Sequence, residues 1–243
     1  MFSDRSPTYR DQGWRRRAAA AVAELVPAPR FDRITVDESD IHPELIGRPL
    51  DVIGLERGVH PFDAMVELAL EEDLMTRFRV VLAGDDEVGI RAILAADHVA
   101  LSFTDAGAHV GMLCDALMQT DVLARWVREE GVLSLEAAVR KMTGQLADTW
   151  QINGRGYVRV GAFADLVVFD PTTVGPGPVR RVHDFPGGTD RLTADQPTGM
   201  VHVIVNGTEI PAHGSVDAVD DELRPGRLIR PGPAGAPRHG EVP

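Results

Sequence analysis

Asp105 and His109 are the residues whose type and spacing could do chemistry. They lie in Thr104-Asp105-Ala106-Gly107-Ala108-His109, directly after the apolar run Val99-Ala100-Leu101-Ser102-Phe103. A carboxylate at the carboxyl end of a buried strand stands where α/β folds place their reacting groups. Such a carboxylate can ligate a metal, act as general base towards a water, or do both. Gly107 permits positive φ and close approach of a ligand to the main chain, and His109 could donate to a substrate oxygen or an oxyanion. The bland readings stand beside these. Asp105 in an Asp-x-Gly turn can simply satisfy backbone amides, and a lone His is more often a satisfied structural residue.

The remaining chemistry-bearing patterns are sparse. The histidines at 42, 60, 98, 109, 183, 202, 213 and 239 form no His-x-His and no His-Glu-x-x-His spacing, and no Walker or Gly-x-Gly-x-x-Gly loop occurs. Cys114, the single cysteine, rules out an internal disulfide and a cysteine-built metal cage, and its position at a helix start reads as packing. Arg15-Arg16-Arg17 reads as a solvated helix face.

The elements that must position Asp105 follow from pattern. Ala19, Val22, Ala23 and Val26 predict a helix from Trp14 to Val26 stopped by Pro27, and Phe31 to Val36 alternates as a strand. Ile41 to Pro49 carries loop chemistry, and a helix starts at Pro61 with Met65, Leu68 and Ala69 on one side. Phe78 to Ala83 predicts a strand, Asp86 to Ala95 a helix, and Val99 to Phe103 the strand that delivers Asp105. Strand alternating with helix implies parallel βα units.

Beyond Asp105, Thr120 to Glu130 predicts a helix ended by Gly131. Another runs from an N-cap at Ser134 through Leu135, Ala138, Val139, Met142 and Leu146. Past residue 154 the pattern turns to β: Leu166 to Phe169 closed by Asp170-Pro171, a long loop rich in Gly, Pro and Arg, then Met200 to Val205 with Asn206-Gly207 as a hairpin turn. A domain boundary is expected near residue 151, and the Pro- and Gly-rich tail 231–243 is expected to be disordered.

Composition bounds the partners. The 243 residues carry 44% apolar content, enough for a core, and a net charge of −12 from 37 acidic against 25 basic side chains. That field repels nucleic acid and anionic membranes. With no signal-like or membrane-length apolar run, a cytoplasmic protein is expected.

Taken together, these motifs resemble the C-terminal portion of the metal-dependent amidohydrolase superfamily, in its D-aminoacylase or N-acyl-D-amino-acid deacylase branch. The carriers are Thr104 to His109, Trp126 to Glu136, Ala138 to Thr143, Arg155-Gly156, Gly161 with Ala164 to Pro171, and Val203 to Gly207. The resemblance implies an α/β fold: the last βα units of a (β/α)8 TIM barrel over residues 1–150, then part of a small β-sandwich over 151–230.

It further implies a zinc-dependent hydrolase that cleaves the amide C–N bond of an N-acyl D-amino acid or a related small-molecule amide. Asp105 matches the carboxylate that serves as metal ligand and proton shuttle, with His109 and Gly107 on the substrate side. Asp165 and Asp170 would be scaffold residues. The family's His-x-His and later histidine ligands have no counterparts here, so a missing N-terminal barrel half or a homo-oligomer is implied as partner. The alternative reading is a catalytically incomplete interaction or regulatory module. A complete, metal-free enzyme using Asp105 and His109 lacks a nucleophile beside them.

Overall fold

The computed structural model describes residues 5–81, 83–210, 224–229 and 232. The described residues form two compact units that divide between Glu87 and Val88.

In the first unit, α1 (Ser6–Arg10) leads into α2 (Gln12–Ala23), where the Asp11 carboxylate accepts from the Trp14 N–H at 2.5 Å and caps the helix. Strand β1 (Ile34–Glu38) precedes two helices, α3 (Leu50–Arg57) and α4 (Pro61–Glu71), and β2 (Arg77–Val80) closes the unit. Pro61 opens α4, as its fixed φ favours, and His60 Nδ1 accepts from the Phe62 N–H at 3.1 Å. Ile34, Val36, Leu45, Leu50, Ile53, Ala64 and Leu68 form the core, so α3 and α4 pack together over β1.

Two expectations fail here. Strands β1 and β2 pair antiparallel, with Ile34 opposite Val80 and Val36 opposite Phe78, where parallel βα units were expected. The cause is α3, which the sequence reading passes over. One intervening helix returns a chain parallel to its first strand, and a second helix leaves it at the opposite end. Helix α3 has no side-chain cap and contains Gly54, where an added Cβ would lie 3.0 Å from the Val59 carbonyl oxygen and 3.1 Å from Pro61 Cα. The glycine that weakens the helical pattern is what lets the next turn close over it. Arg15 is the second correction. Only 6% exposed, it donates from Nε to the Tyr9 carbonyl at 2.6 Å and from Nη1 to Glu67 at 3.3 Å, while Arg16 and Arg17 are exposed as expected.

The second unit opens with α5 (Glu87–Ala95), whose Leu94 is buried in its core. Helix α6 (Met118–Asp121) runs on as a π-helix over Val122–Glu129, which buries Leu123 and Trp126 and ends at Gly131 with φ +59°. Helix α7 (Leu135–Met142) is capped by Ser134 Oγ, which accepts from the Ala137 N–H at 3.1 Å. The helical stripe expected to reach Leu146 breaks at Thr143 (φ −129°, ψ −85°), and α8 (Gly144–Thr149) begins there. Gly144 explains the break: a Cβ there would sit 2.6 Å from the Tyr157 ring, which crosses at that point.

Strands β3 (Leu166–Phe169), β6 (Met200–Val205) and β7 (Thr208–Ile210) form one antiparallel sheet. The loop expected between residues 171 and 200 instead contains the hairpin β4 (Val179–Phe185) and β5 (Thr189–Ala194), turned by Pro186-Gly187-Gly188. Leu94, Val122, Leu123, Trp126, Leu133, Ala138 and Val174 make the core, with Leu101, Phe169 and Met200 packed on it. The chain is thus an α/β protein in which every described strand pair is antiparallel.

The expected strand Val99 to Phe103 is absent. Its run is apolar enough, but no strand among the described residues pairs with it, and an unpaired strand leaves its amides and carbonyls without partners. Phe103 is 79% exposed. The tail expected to be disordered lies outside the described residues except Gly232, whose N–H donates to Gln151 at 3.2 Å and whose carbonyl accepts from Asn153 Nδ2 at 2.9 Å.

Candidate active site

Asp105 stands in an exposed turn rather than at a strand end. Thr104 Oγ1 accepts from the Ala106 N–H at 3.1 Å, and the Asp105 carbonyl accepts from the Ala108 N–H at 2.9 Å. Gly107 sits at φ +91°, a conformation that a side chain resists, and His109 also has positive φ, +45°. The His109 carbonyl then accepts from the Met112 and Leu113 N–H groups at 2.7 and 3.0 Å. The three residues singled out from sequence therefore share one loop. Among the described residues neither the Asp105 nor the His109 side chain has a hydrogen bond or an ion pair, so both point their chemistry at solvent.

Both ends of that loop are tied down. On the far side, Leu192 of β5 donates to the Val110 carbonyl at 2.7 Å. Arg181 of β4 donates to the Gly111 carbonyl at 3.1 Å while paired with Asp190 at 2.9 Å. On the near side, Lys141 of α7 and Gln145 of α8 donate to the carbonyls of residues 96–99, and the Leu101 N–H donates to the Lys141 carbonyl at 3.3 Å. Sequence reading missed both anchors. The turn signal Pro186-Gly187-Gly188 could have shown the hairpin, whereas Lys141 counted only as one residue of a helix pattern.

No cluster of three or more His, Cys, Asp or Glu side chains among the described residues is arranged to hold a metal ion. Asp105 supplies one carboxylate, and these residues by themselves do not fit a metal centre. Cys114, half-buried and free, follows the loop.

Other carboxylates are occupied structurally. Asp165 accepts from Arg155 Nε at 2.5 Å and from the Asn206 N–H at 2.7 Å, fixing the β6–β7 turn. Asp170 accepts from the hydroxyl and N–H of Thr172, which hold its pKa below the ordinary value. The most perturbed carboxyl is Glu72, at the end of α4. Burial pushes it up, but hydrogen bonds from the Ser39 and Thr76 hydroxyls and the Ile41 and Asp40 N–H groups outweigh burial and lower it to about 2.

Residues 47–211 match the family model described as amidohydrolase family, and the chain belongs to that family. The matched span includes the Asp105 loop. Among curated relatives, D-aminoacylase of Alcaligenes xylosoxydans xylosoxydans is 34% identical over 174 residues, 69% of this chain and 31% of that protein. N-acyl-D-glutamate deacylase of the same organism is 41% identical over 120 residues, 46% of this chain and 20% of that one. An uncharacterized protein of Mycobacterium tuberculosis is 29% identical over 234 residues, 85% of this chain.

These relatives place the chain in the D-aminoacylase branch. The chain spans at most 38% of the length of the curated relatives it matches. Among solved structures, N-acyl-D-glutamate deacylase from Bordetella bronchiseptica, complexed with zinc and a phosphonate inhibitor, has a TM-score of 0.44 and 25% identity, covering 82% of this chain and 38% of that one. Among the described residues no helix is long and apolar enough to cross a membrane.

Proposed function

We propose that this chain supplies the C-terminal portion of a metal-dependent amidohydrolase that cleaves the amide C–N bond of an N-acyl amino acid of the D series. In this reading residues 1–150 derive from the last βα units of a TIM barrel and 151–230 from the adjoining β-sandwich. Asp105 is the reacting carboxylate. As general base it takes the proton of the water that attacks the amide carbonyl, a role worth about 10²- to 10⁴-fold in rate. His109 donates to the substrate carbonyl oxygen, and Gly107 lets the substrate lie against the main chain. The observation that carries the reading is the family match across residues 47–211, with the exposed Asp105 carboxylate, unpaired among the described residues, inside it.

Asp105 would also be one ligand of the zinc, the other ligands coming from residues outside those described, from another polypeptide or from a second copy. The test measures zinc content and hydrolysis of N-acetyl-D-glutamate by the chain alone and when co-produced with the N-terminal portion of a D-aminoacylase. The expected result is neither tight zinc nor turnover alone and both in the pair, with Asp105→Asn lowering kcat at least 100-fold. Stoichiometric tight zinc with hydrolysis by the chain alone refutes the shared site. Hydrolysis unaffected by Asp105→Asn refutes the role of that residue, and no hydrolysis in any combination refutes the function.

A further inference from the structure

Lys141 is the chain's single lysine, every other side chain among the 25 Lys and Arg being arginine. It is also buried, at 4% exposure. Its ammonium donates to the carbonyl oxygens of Ala96 and Val99 at 2.5 and 2.9 Å, and among the described residues it makes no ion pair with a carboxylate. A buried charge without a counter-ion costs several kcal/mol unless fixed dipoles replace its water. The dipoles here belong to the backbone just past the C-terminus of α5, the end of a helix that favours a cation. Gln145 adds bonds to the Asp97 and Val99 carbonyls at 3.0 and 3.3 Å, and the Leu101 N–H returns one to the Lys141 carbonyl.

This grip is made entirely on the main chain of residues 96–101, so its specificity resides in the two helical side chains. Within the apolar run it holds the Val99 carbonyl and the Leu101 N–H, where no described strand pairs with the run. A compact ammonium can sit where two carbonyls converge. A planar guanidinium is larger and spreads its donors in one plane, so it does not reproduce that geometry in the same buried space. Lysine suits this one position in a chain that otherwise uses arginine.

We propose that Lys141 is a positioning residue for the Asp105 loop: by holding the carbonyls of Ala96 and Val99 it fixes where residues 102–109 start, as Arg181 and Leu192 fix where they end. The inference rests on the reading of Asp105 as the reacting carboxylate. Lys141 touches no substrate in this scheme and acts through the backbone alone.

Hydrogen exchange by mass spectrometry on the full chain tests it, comparing wild type, Lys141→Met and Lys141→Arg. The expected result is exchange at least tenfold faster across residues 96–104 in both variants, with peptides of 166–210 within twofold of wild type. Unchanged exchange at 96–104 in Lys141→Met, or full restoration by Lys141→Arg, overturns the proposal. So does an equal rise everywhere, the mark of a merely structural residue.

Should Lys141→Met not fold, acetylation of the wild-type amine by an N-hydroxysuccinimide ester still decides. It is expected to run at least 100-fold slower in the native chain than in urea, and rates within threefold overturn the proposal. In the co-produced enzyme, Lys141→Met is expected to lower kcat at least tenfold with KM within twofold, and a change in KM alone overturns it. If the wild-type pair hydrolyses nothing, the assignment of function fails, while the exchange result still judges the grip.

Discussion

Glu72→Gln probes how a buried carboxylate holds the end of α4 to the segment after β1. The wild-type carboxylate is 8% exposed. It accepts from Ser39 Oγ at 2.7 Å, from the Ile41 N–H at 2.6 Å and from the Thr76 hydroxyl. Its pKa falls from 4.5 to about 2 on folding. A drop of that size corresponds to roughly 3 kcal/mol, since one pKa unit is about 1.4 kcal/mol, and screening near the surface reduces it to about 2 kcal/mol.

The sign follows from the depressed value. The carboxylate's contribution is complete above pH 4.5, its unfolded value, and is lost as the pH falls through about 2. Glutamine keeps the shape but turns an NH2 group towards donors, leaving them unpaired. Pulse proteolysis in urea, scoring cleavage within residues 34–80, is expected to show Glu72→Gln less stable by about 2 kcal/mol at pH 7 and by under half that at pH 3. An equal deficit at both pH values refutes the linkage argument, and no deficit at pH 7 refutes the hydrogen-bond network.

Three further substitutions separate backbone strain from collision and surface charge from stability. Gly156→Ala meets both a φ of +84° and a Cβ placed 2.6 Å from Ala147 Cβ, whereas Gly161→Ala meets the same φ with nothing within 4 Å. Urea melts monitored by circular dichroism are expected to show losses of about 3 and about 1 kcal/mol respectively, and equal losses contradict the collision. Arg191→Ala removes an exposed, two-bonded pair with Asp184 at 2.7 and 2.8 Å. Exposed pairs contribute little, so its urea midpoint is expected to match wild type, and a clear loss would show that the β4–β5 hairpin depends on it.

The legible parts of this fold are those encoded by neighbours in sequence. Pro61 and Ser134 mark the starts of α4 and α7, Gly131 ends the π-helix, and Leu166 to Phe169 is the strand its apolar run implies. Asn206 and Gly207 take φ values of +48° and +83°, both left-handed, as a tight hairpin between β6 and β7 requires. The illegible parts depend on contacts beyond the reach of a helix or strand pattern. Helix α3 is broken in pattern by Gly54, whose purpose appears only when Val59 and Pro61 close over it. The helix across Thr143 is split where Tyr157, in the loop past α8, occupies the space beside Gly144. The β4–β5 hairpin hides in a stretch whose arginines and aspartates mask its alternation.

The same division applies to the candidate site. Sequence by itself determined the family resemblance, the identity of Asp105, Gly107 and His109 as one group, and the absence of the histidine spacings that would complete a metal site, because these rest on residue type and local order. Only the tertiary structure decided that the run before Asp105 is not a strand, that Arg15 and Lys141 are buried, and that the loop is fastened at both ends. An apolar run becomes a strand only if another strand supplies its hydrogen bonds. Here the side chains of Lys141 and Gln145 hold the carbonyls of Ala96, Asp97 and Val99 at the start of the run instead, and their placement was settled by the packing of α7 and α8 rather than by anything local to residues 96–105.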